Sequence, residues 1–273
     1  MSEYTIRPLT IADEQQGAAL WSLVFGDEEP VVREFYRLFS ESPSFGLGAF
    51  LDGQLAAAAY APDGADLITD GEKKTGVYLY AVATHPDHRK FGLARRLCAA
   101  LRDRAFAQGN VYLFTKPAED SLYPWYQEKI GAQPVLGCRS LQLRAASGRY
   151  PRAEKLSAED YGRLRRELLA GKSHVELSGQ WLIWESILHE AYGGGFYRVG
   201  KSVADVYLDE ESLAVQEVLP ASRAEDVCHA LMATFGKGSC TCRGMGREEH
   251  YVSAVAADGA LPEDNPWYGP IFG

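Results

Sequence analysis

The sequence predicts an α/β protein built in two lobes. Three observations carry that expectation. Strand-like and helix-like periodicities alternate along the chain, its 273 residues suit two domains better than one, and the second half restarts with the pattern that opened the first. A hydrophobic fraction of 46% and a charged fraction of 24% are those of an ordinary folded chain with a sizeable core.

In the first half, residues 4–7 alternate as a short strand, and Thr10 with Asp13 forms a capping-box start for a helix running through Trp21 and Phe25. Gly26 and Pro30 punctuate the chain before a second helical pattern over residues 31–39, which Pro43 ends. Residues 45–51 and 54–60 flank Asp52-Gly53, the strongest hairpin signal present, so they are expected to be antiparallel neighbours. Residues 77–84 read as a single strand rich in aromatic and branched side chains, followed by a loop and a long helix from about Leu93. In that helix Ala94, Leu97, Cys98, Leu101 and Ala105 share one face, and Gly109 closes it. A strand at 111–115, a helix at 119–129 and one or two strands at 133–143 complete this half. Residues 144–151 have the composition of a linker, which gives domains at 1–145 and 150–273.

The second half opens on Leu156-Ser157-Ala158-Glu159-Asp160, an echo of Leu9-Thr10-Ile11-Ala12-Asp13. A helix over 179–191 ends at Gly193-Gly194-Gly195. Strands are expected at 196–199, 203–208 and 213–219, then a helix whose apolar face (Ala224, Val227, Cys228, Leu231, Phe235) repeats the spacing of the Ala94 helix. This half reads as a degenerate repeat of the first. Leu219 and Ser222 stand where the first copy has Arg89 and Gly92, so one ligand loop per chain is expected.

Composition narrows the classes of function. A formal net charge of −9 disfavours nucleic acid and anionic membranes as partners and favours cationic substrates such as amines. No apolar run approaches the roughly 18–20 residues of a membrane span, and Met1-Ser2-Glu3-Tyr4 does not read as a signal peptide, so a cytoplasmic location is expected. The five cysteines form an odd set, and Cys98 and Cys228 fall at apolar helix positions, which suits reduced, buried thiols. Cys240-Thr241-Cys242 has the look of half a metal site, but no second pair or nearby histidine completes it, and no metal is expected. Trp181 and Trp184 fit core packing better than a dimer face; the oligomeric state stays open, a homodimer included.

The chemistry concentrates at Arg89-Lys90-Phe91-Gly92-Leu93-Ala94, between a strand and a long helix. Free N–H groups at a helix start converge on an anion, and the helix dipole adds to their potential. Gly92 lets backbone approach a diphosphate, Ala94 keeps the helix start slim, and Arg89 or Lys90 can add charge-assisted bonds. Residues 78–101, YLYAVATHPDHRKFGLARRLCAAL, resemble motif A of the GNAT superfamily of N-acetyltransferases: a strand, then Pro, then Arg/Gln-x-x-Gly-x-Gly/Ala, then a helix. The resemblance implies a GNAT fold with a mixed, mostly antiparallel sheet, the second half being a degenerate GNAT-like lobe. It implies acetyl-CoA as co-substrate and a small-molecule amine or peptide as acceptor. It also implies that the backbone of Val82, Ala83 and Thr84 pairs with the pantetheine arm, and that Arg89, Lys90, Phe91, Gly92, Leu93, Ala94 and Arg95 surround the pyrophosphate.

Leu122-Tyr123-Pro124-Trp125-Tyr126-Gln127-Glu128-Lys129-Ile130-Gly131-Ala132 is similar to motif B of the same family. By that resemblance Tyr126 is the general acid for the CoA thiolate. Tyr126 stands one residue further from Gly131 than the pattern has it, and Ala132 replaces the usual Phe, so Tyr123 remains the alternative. No Glu, Asp or His in 77–84 supplies a base. His85 and His88 fit a phosphate rim or solvent better than a ligand pair. Asp27 and Glu28 either line an acceptor pocket or are solvated helix-end charges. The aromatic tail over 265–273 is expected to dock. In the tandem-GNAT enzymes that modify aminoglycosides, which this two-lobed chain resembles in outline, a chain terminus serves as base, which points to the Gly273 carboxylate. The reading from another class is a non-catalytic acyl-CoA-binding sensor or interaction module.

Overall fold

A computed structural model describes residues 3–270; Gly273 lies outside them. The chain forms two compact units. The first holds the residues up to Leu67, Lys73–Val135 and Val252–Leu261, and the second holds Ile68–Glu72, Leu136–Tyr251 and Pro262 onward. The division therefore falls about ten residues before the linker expected at 144–151, and a late strand returns to the first unit. Residues 144–151 do have the composition of a loop, but strand pairing, which composition does not report, sets where the units part.

In the first unit β1 (Thr5–Pro8), β2 (Gly46–Leu51) and β3 (Gln54–Tyr60) are antiparallel neighbours, with α1 (Glu14–Phe25) and α2 (Glu29–Phe39) between β1 and β2 in sequence. Asp52 and Gly53 both take left-handed backbone, as the hairpin signal requires. The capping box at Thr10 and Asp13 is present, and Arg7 reaches back to grip both Asp13 oxygens at 2.8 and 2.6 Å. A short hairpin, β4 (Ala65–Thr69) and β5 (Glu72–Lys74), went unread in the sequence because its strands are only five and three residues long and β5 is wholly polar.

The expected single strand over 77–84 is two. β6 (Gly76–Tyr78) runs parallel to β8 (Tyr112–Thr115), whereas β7 (Tyr80–Thr84) pairs antiparallel with β3 and forms the edge of the β1-β2-β3-β7 sheet. α3 (Leu93–Ala107) packs Leu93, Leu97, Cys98 and Leu101 against Ala57, Ala59 and Val77, and α4 (Tyr123–Ile130) adds Tyr126 and Ile130 to the same core. An aromatic cluster occupies the α1 and α2 side: the Trp21 ring lies 5.1 Å from Phe35 and 5.3 Å from Tyr60, and the Tyr36 and Tyr60 hydroxyls meet at 2.8 Å.

In the second unit β9 (Gln133–Arg144) is followed by β10 (Glu154–Leu156), α5 (Ala158–Leu169), β11 (His174–Leu177), α6 (Gly179–Tyr192), β12 (Gly194–Val199), β13 (Ser202–Leu208), β14 (Ser212–Leu219), α7 (Ala224–Phe235) and β15 (Ser239–Met245). The chain closes on β16 (Glu249–Ala256), whose end pairs with β8. β10, β12, β13 and β14 are successively antiparallel, β14 and β15 are parallel, and β15 and β9 antiparallel. The sheets are thus mixed and largely antiparallel. Gly194 and Gly195 open β12 instead of ending the preceding helix, which Gly193 caps. Trp181 and Trp184 are buried, and all five cysteines are buried and free. Among the described residues no helix is long and apolar enough to cross a membrane.

Close backbone approach where the two strand systems meet makes a stability test. A Cβ on Gly76 would lie 2.3 Å from the Ala65 carbonyl oxygen, which is backbone and has little room to yield. Gly76→Ala is expected to cost about 1–3 kcal/mol, read as a lower denaturation midpoint at unchanged denaturant slope.

Candidate active site

The site begins where β6 stops being β8's neighbour. The parallel register runs Gly76 to Tyr112, Val77 to Leu113 and Tyr78 to Phe114. Its last links are the Leu79 N–H donating to the Phe114 carbonyl at 2.7 Å and the Thr115 hydroxyl donating to the Leu79 carbonyl at 3.2 Å. Beyond Leu79 the chain turns through Ala81, a non-glycine residue at φ +46°, and joins β3 instead. Such backbone costs of order 1–2 kcal/mol, and strain of this kind gathers at functional sites.

β7 then has one paired edge and one open edge. The His85 N–H donates to the Ala56 carbonyl at 2.9 Å, and Ala83 is in register with Ala58. Strand alternation therefore turns the backbone of Ala83 toward β3 and that of Val82 and Thr84 toward the open edge. Arg89 Nε, 3.5 Å from the Thr84 carbonyl, marks that direction. Of the three residues expected to meet an extended ligand through backbone, Val82 and Thr84 turn backbone groups to the open edge, where Arg89 holds the Thr84 carbonyl, and Ala83 does not.

The loop after β7 builds the floor. Lys90 (φ +69°) and Gly92 (φ +72°) both take left-handed backbone, and Gly92 is the N-cap of α3. The first helical bond runs from the Arg96 N–H to the Gly92 carbonyl, so the amides just ahead of Arg96 have no acceptor within the helix. They face a cleft of about 480 Å³, within the range of ligand sites. Its walls include Thr84, Arg89, Lys90, Gly92, Leu93, Ala94 and Arg95 from the expected set. Phe91 is not in the lining; its ring is 61% exposed and sits 5.9 Å from Tyr4. The sequence reading missed Trp125 and Lys129, which close the cleft from α4, and left His88 undecided between rim and solvent. His88 lines the cleft and its Nδ1 meets the Tyr4 hydroxyl at 2.9 Å. The lining holds four cationic side chains (Arg89, Lys90, Arg95, Lys129) and no carboxylate, in a chain whose net charge is −9.

Tyr126 is 9% exposed, one turn from the cleft wall residue Lys129, with its ring in T-shaped contact with Trp125 at 4.9 Å. Burial pushes its phenol well above the ordinary tyrosine pKa, with Cys98 nearby adding to the rise. The phenol is therefore a neutral donor at any pH near 7. Cys98 is itself pushed up to about 12 by burial and is inert. Asp27 accepts from the Trp21 indole N–H at 2.6 Å, and Glu28 is the N-cap residue of α2, so neither lines this cleft.

The tail expected to dock does so within the second unit. Trp267 and Tyr268 are buried there, the Trp267 indole donates to Glu217, and Arg165 donates to the Tyr268 carbonyl at 3.0 Å.

Comparison with known proteins agrees with this arrangement. The acetyltransferase (GNAT) domain family matches residues 5–129. That stretch, holding the parted strands and the cleft, is a GNAT-fold acetyltransferase domain. No curated protein matches the sequence. Among solved structures the chain is similar to a GCN5-related N-acetyltransferase from Kribbella flavida, at 15% identity over 94% of this chain and 72% of that one, with a TM-score of 0.68. It is also similar to a conserved protein of unknown function from Enterococcus faecalis described as a probable N-acyltransferase (12% identity, 94% and 73% covered, TM-score 0.69). Eis1 from Mycobacterium abscessus follows at 14% identity, 93% and 71% covered, and TM-score 0.64. At such identities the likeness is one of fold.

Two measurements probe the cleft. Gly92→Ala forces an L-residue into left-handed backbone and is expected to weaken acetyl-CoA binding about tenfold, from a conformational cost of roughly 1–2 kcal/mol; calorimetric titration reads it. Because the lining is cationic, acetyl-CoA affinity of the unaltered protein is expected to fall as ionic strength rises from about 0.05 to 0.5 M.

Proposed function

We propose that the chain transfers acetyl from acetyl-CoA to a primary amine by direct attack in a ternary complex, with one CoA site in the residue 5–129 domain. The observation that carries this reading is that Thr84, on the open-edged β7, lines the same cleft as the cationic, glycine-capped start of α3. An extended pantetheine arm can pair with the Val82 and Thr84 backbone as an added strand would, while the diphosphate takes the amides ahead of Arg96 and the charges of Arg89, Lys90 and Arg95.

In this scheme the open-edge N–H polarises the thioester carbonyl and the amine lone pair attacks its carbon. On collapse the C–S bond breaks, the sulfur takes the Tyr126 phenol proton, and the proton lost from the acetylated nitrogen passes through solvent to restore the phenol. The same proposal places the protein in the cytoplasm and takes a small-molecule amine or a peptide as acceptor.

The second half is proposed to be a degenerate GNAT-like lobe. Leaving aside the short β4, β5 and β11, the order β10, α5, α6, β12, β13, β14, α7, β15 parallels β1, α1, α2, β2, β3, β6/β7, α3, β8, and β14 runs parallel to β15 as β6 does to β8. The junction between β14 and α7, Leu219-Pro220-Ala221-Ser222-Arg223, has no glycine to open the helix start, which supports a single cofactor site per chain.

The test follows free thiol from acetyl-CoA with polyamines, aminoglycosides, amino acids and peptides. Release with at least one amine is expected; CoA binding without release from any would favour the acyl-CoA-binding module instead. Tyr126→Phe is expected to lower kcat by about 10²–10⁴ with little change in KM for acetyl-CoA. Since the acid works protonated and burial raises its pKa, the acid's ionisation should cause no fall in kcat up to about pH 10. Loss of rate through pH 8–9 that Tyr126→Phe abolishes would contradict that assignment.

A further inference from the structure

We propose that Glu185, His189 and Asp205 form a structural binding site for a zinc-like divalent cation inside the second unit. One donor atom from each of the three lies within 4.8 Å of the others. His189 Nε2 is 2.7 Å from Asp205 Oδ1 and 3.5 Å from Glu185 Oε1. Tetrahedral ligands at about 2.1 Å from a zinc ion stand about 3.4 Å apart, so the His189–Glu185 edge already has that spacing and the His189–Asp205 edge opens by about 0.7 Å on binding.

The fold fixes these groups in place. Glu185 and His189 lie on one face of α6, one turn apart, and the bulge between Asp205 and Val206 on β13 coincides with a strand buried on both faces. The His189 ring is held between Phe196 and Tyr207, each 4.8 Å away between centroids. The Tyr207 hydroxyl donates to Glu185 Oε1 at 2.8 Å, orienting that carboxylate as an outer partner does around a metal.

Two independent features point to a ligand. First, both carboxylates are 0% exposed, and among the described residues neither is ion-paired with a lysine or arginine. Two buried carboxylates beside one imidazole are a costly arrangement unless a cation or protons compensate them, and one divalent ion with a neutral imidazole balances the charge. Second, Glu185 Oε2, Asp205 Oδ2 and His189 Nδ1 are buried with no partner in good hydrogen-bond geometry, and the two carboxylates interact with each other. The spare carboxylate oxygens bring the available donors to five, enough for a four- or five-coordinate ion. A cation would enter as the unit folds, since the cluster is closed to solvent.

The experiment uses the full chain, freed of metal by chelator, and zinc as the probe. Calorimetric titration is expected to show about one equivalent bound, retained through gel filtration, with a higher thermal midpoint. Glu185→Gln and Asp205→Asn should each weaken binding about 100-fold or more. X-ray absorption at the zinc edge on the unaltered protein, which needs no variant to fold, should show nitrogen and oxygen ligands without sulfur. Absence of binding at micromolar zinc overturns the site and leaves the carboxylates compensated by shared protons. Sulfur ligation, or binding undiminished in folded Glu185→Gln and Asp205→Asn, overturns it equally by placing the ion elsewhere.

Discussion

Everything in the residue 5–129 domain that bears on function depends on one broken partnership, that between β7 and β8. A parallel pair that stayed zipped past Leu79 would satisfy its own backbone and leave nothing for a ligand. Here the pairing ends at the Leu79–Phe114 bond, Ala81 turns the chain aside, and β3 accepts β7 instead. The strained residue and the unpaired edge are two aspects of the same event. Both are sustained by packing behind the strand, where Ala57, Ala59 and Leu79 meet the apolar face of α3. Small residues in β3 let that helix approach the sheet and so place its N-terminus beside the open edge.

Electrostatics reinforces this geometry locally and runs against the chain's overall balance. The molecule is acidic, yet the four charged side chains on the cleft wall are all cationic. A uniformly acidic surface would repel a polyphosphate. Concentrating positive charge at a helix start, where the amide dipoles already point outward, focuses an anion at one place. Lys129 contributes from a different helix, α4, so two helices share the work.

The second unit spends its buried polar groups differently. Glu217 and Arg165 are both almost fully buried, with Arg165 Nε 3.0 and 3.2 Å from the two Glu217 oxygens. Tyr161 and Trp267 also donate to Glu217, while Arg165 donates to the Val175 and Tyr268 carbonyls. A buried ion pair with this many satisfied donors and acceptors avoids the usual desolvation deficit and ties the aromatic tail to α5 and β14. The Glu185, His189 and Asp205 cluster has the same burial without the same satisfaction, which is why the two read so differently.

Local signals determined most of the elements. The Asp52-Gly53 turn, the Thr10–Asp13 capping box, the apolar stripe of α3 and the Gly92 start of that helix are set by neighbours a few residues apart, and each appeared where periodicity and turn chemistry put it. Gly92 and the basic residues beside it stood out in the sequence, and line the cleft in the structure, because conformational freedom and charge belong to residue types. What only the tertiary structure decided involves pairing across long separations. The split of residues 76–84 into β6 and β7 depends on whether β8 or β3 takes the edge, and no glycine marks the turn at Ala81. The return of residues 252–261 to the first unit, the arrival of Trp125 and Lys129 at the cleft, and the meeting of α6 with Asp205 are likewise choices of partner. A sequence pattern states which face of an element is apolar; which other element covers that face is settled by packing the whole chain at once.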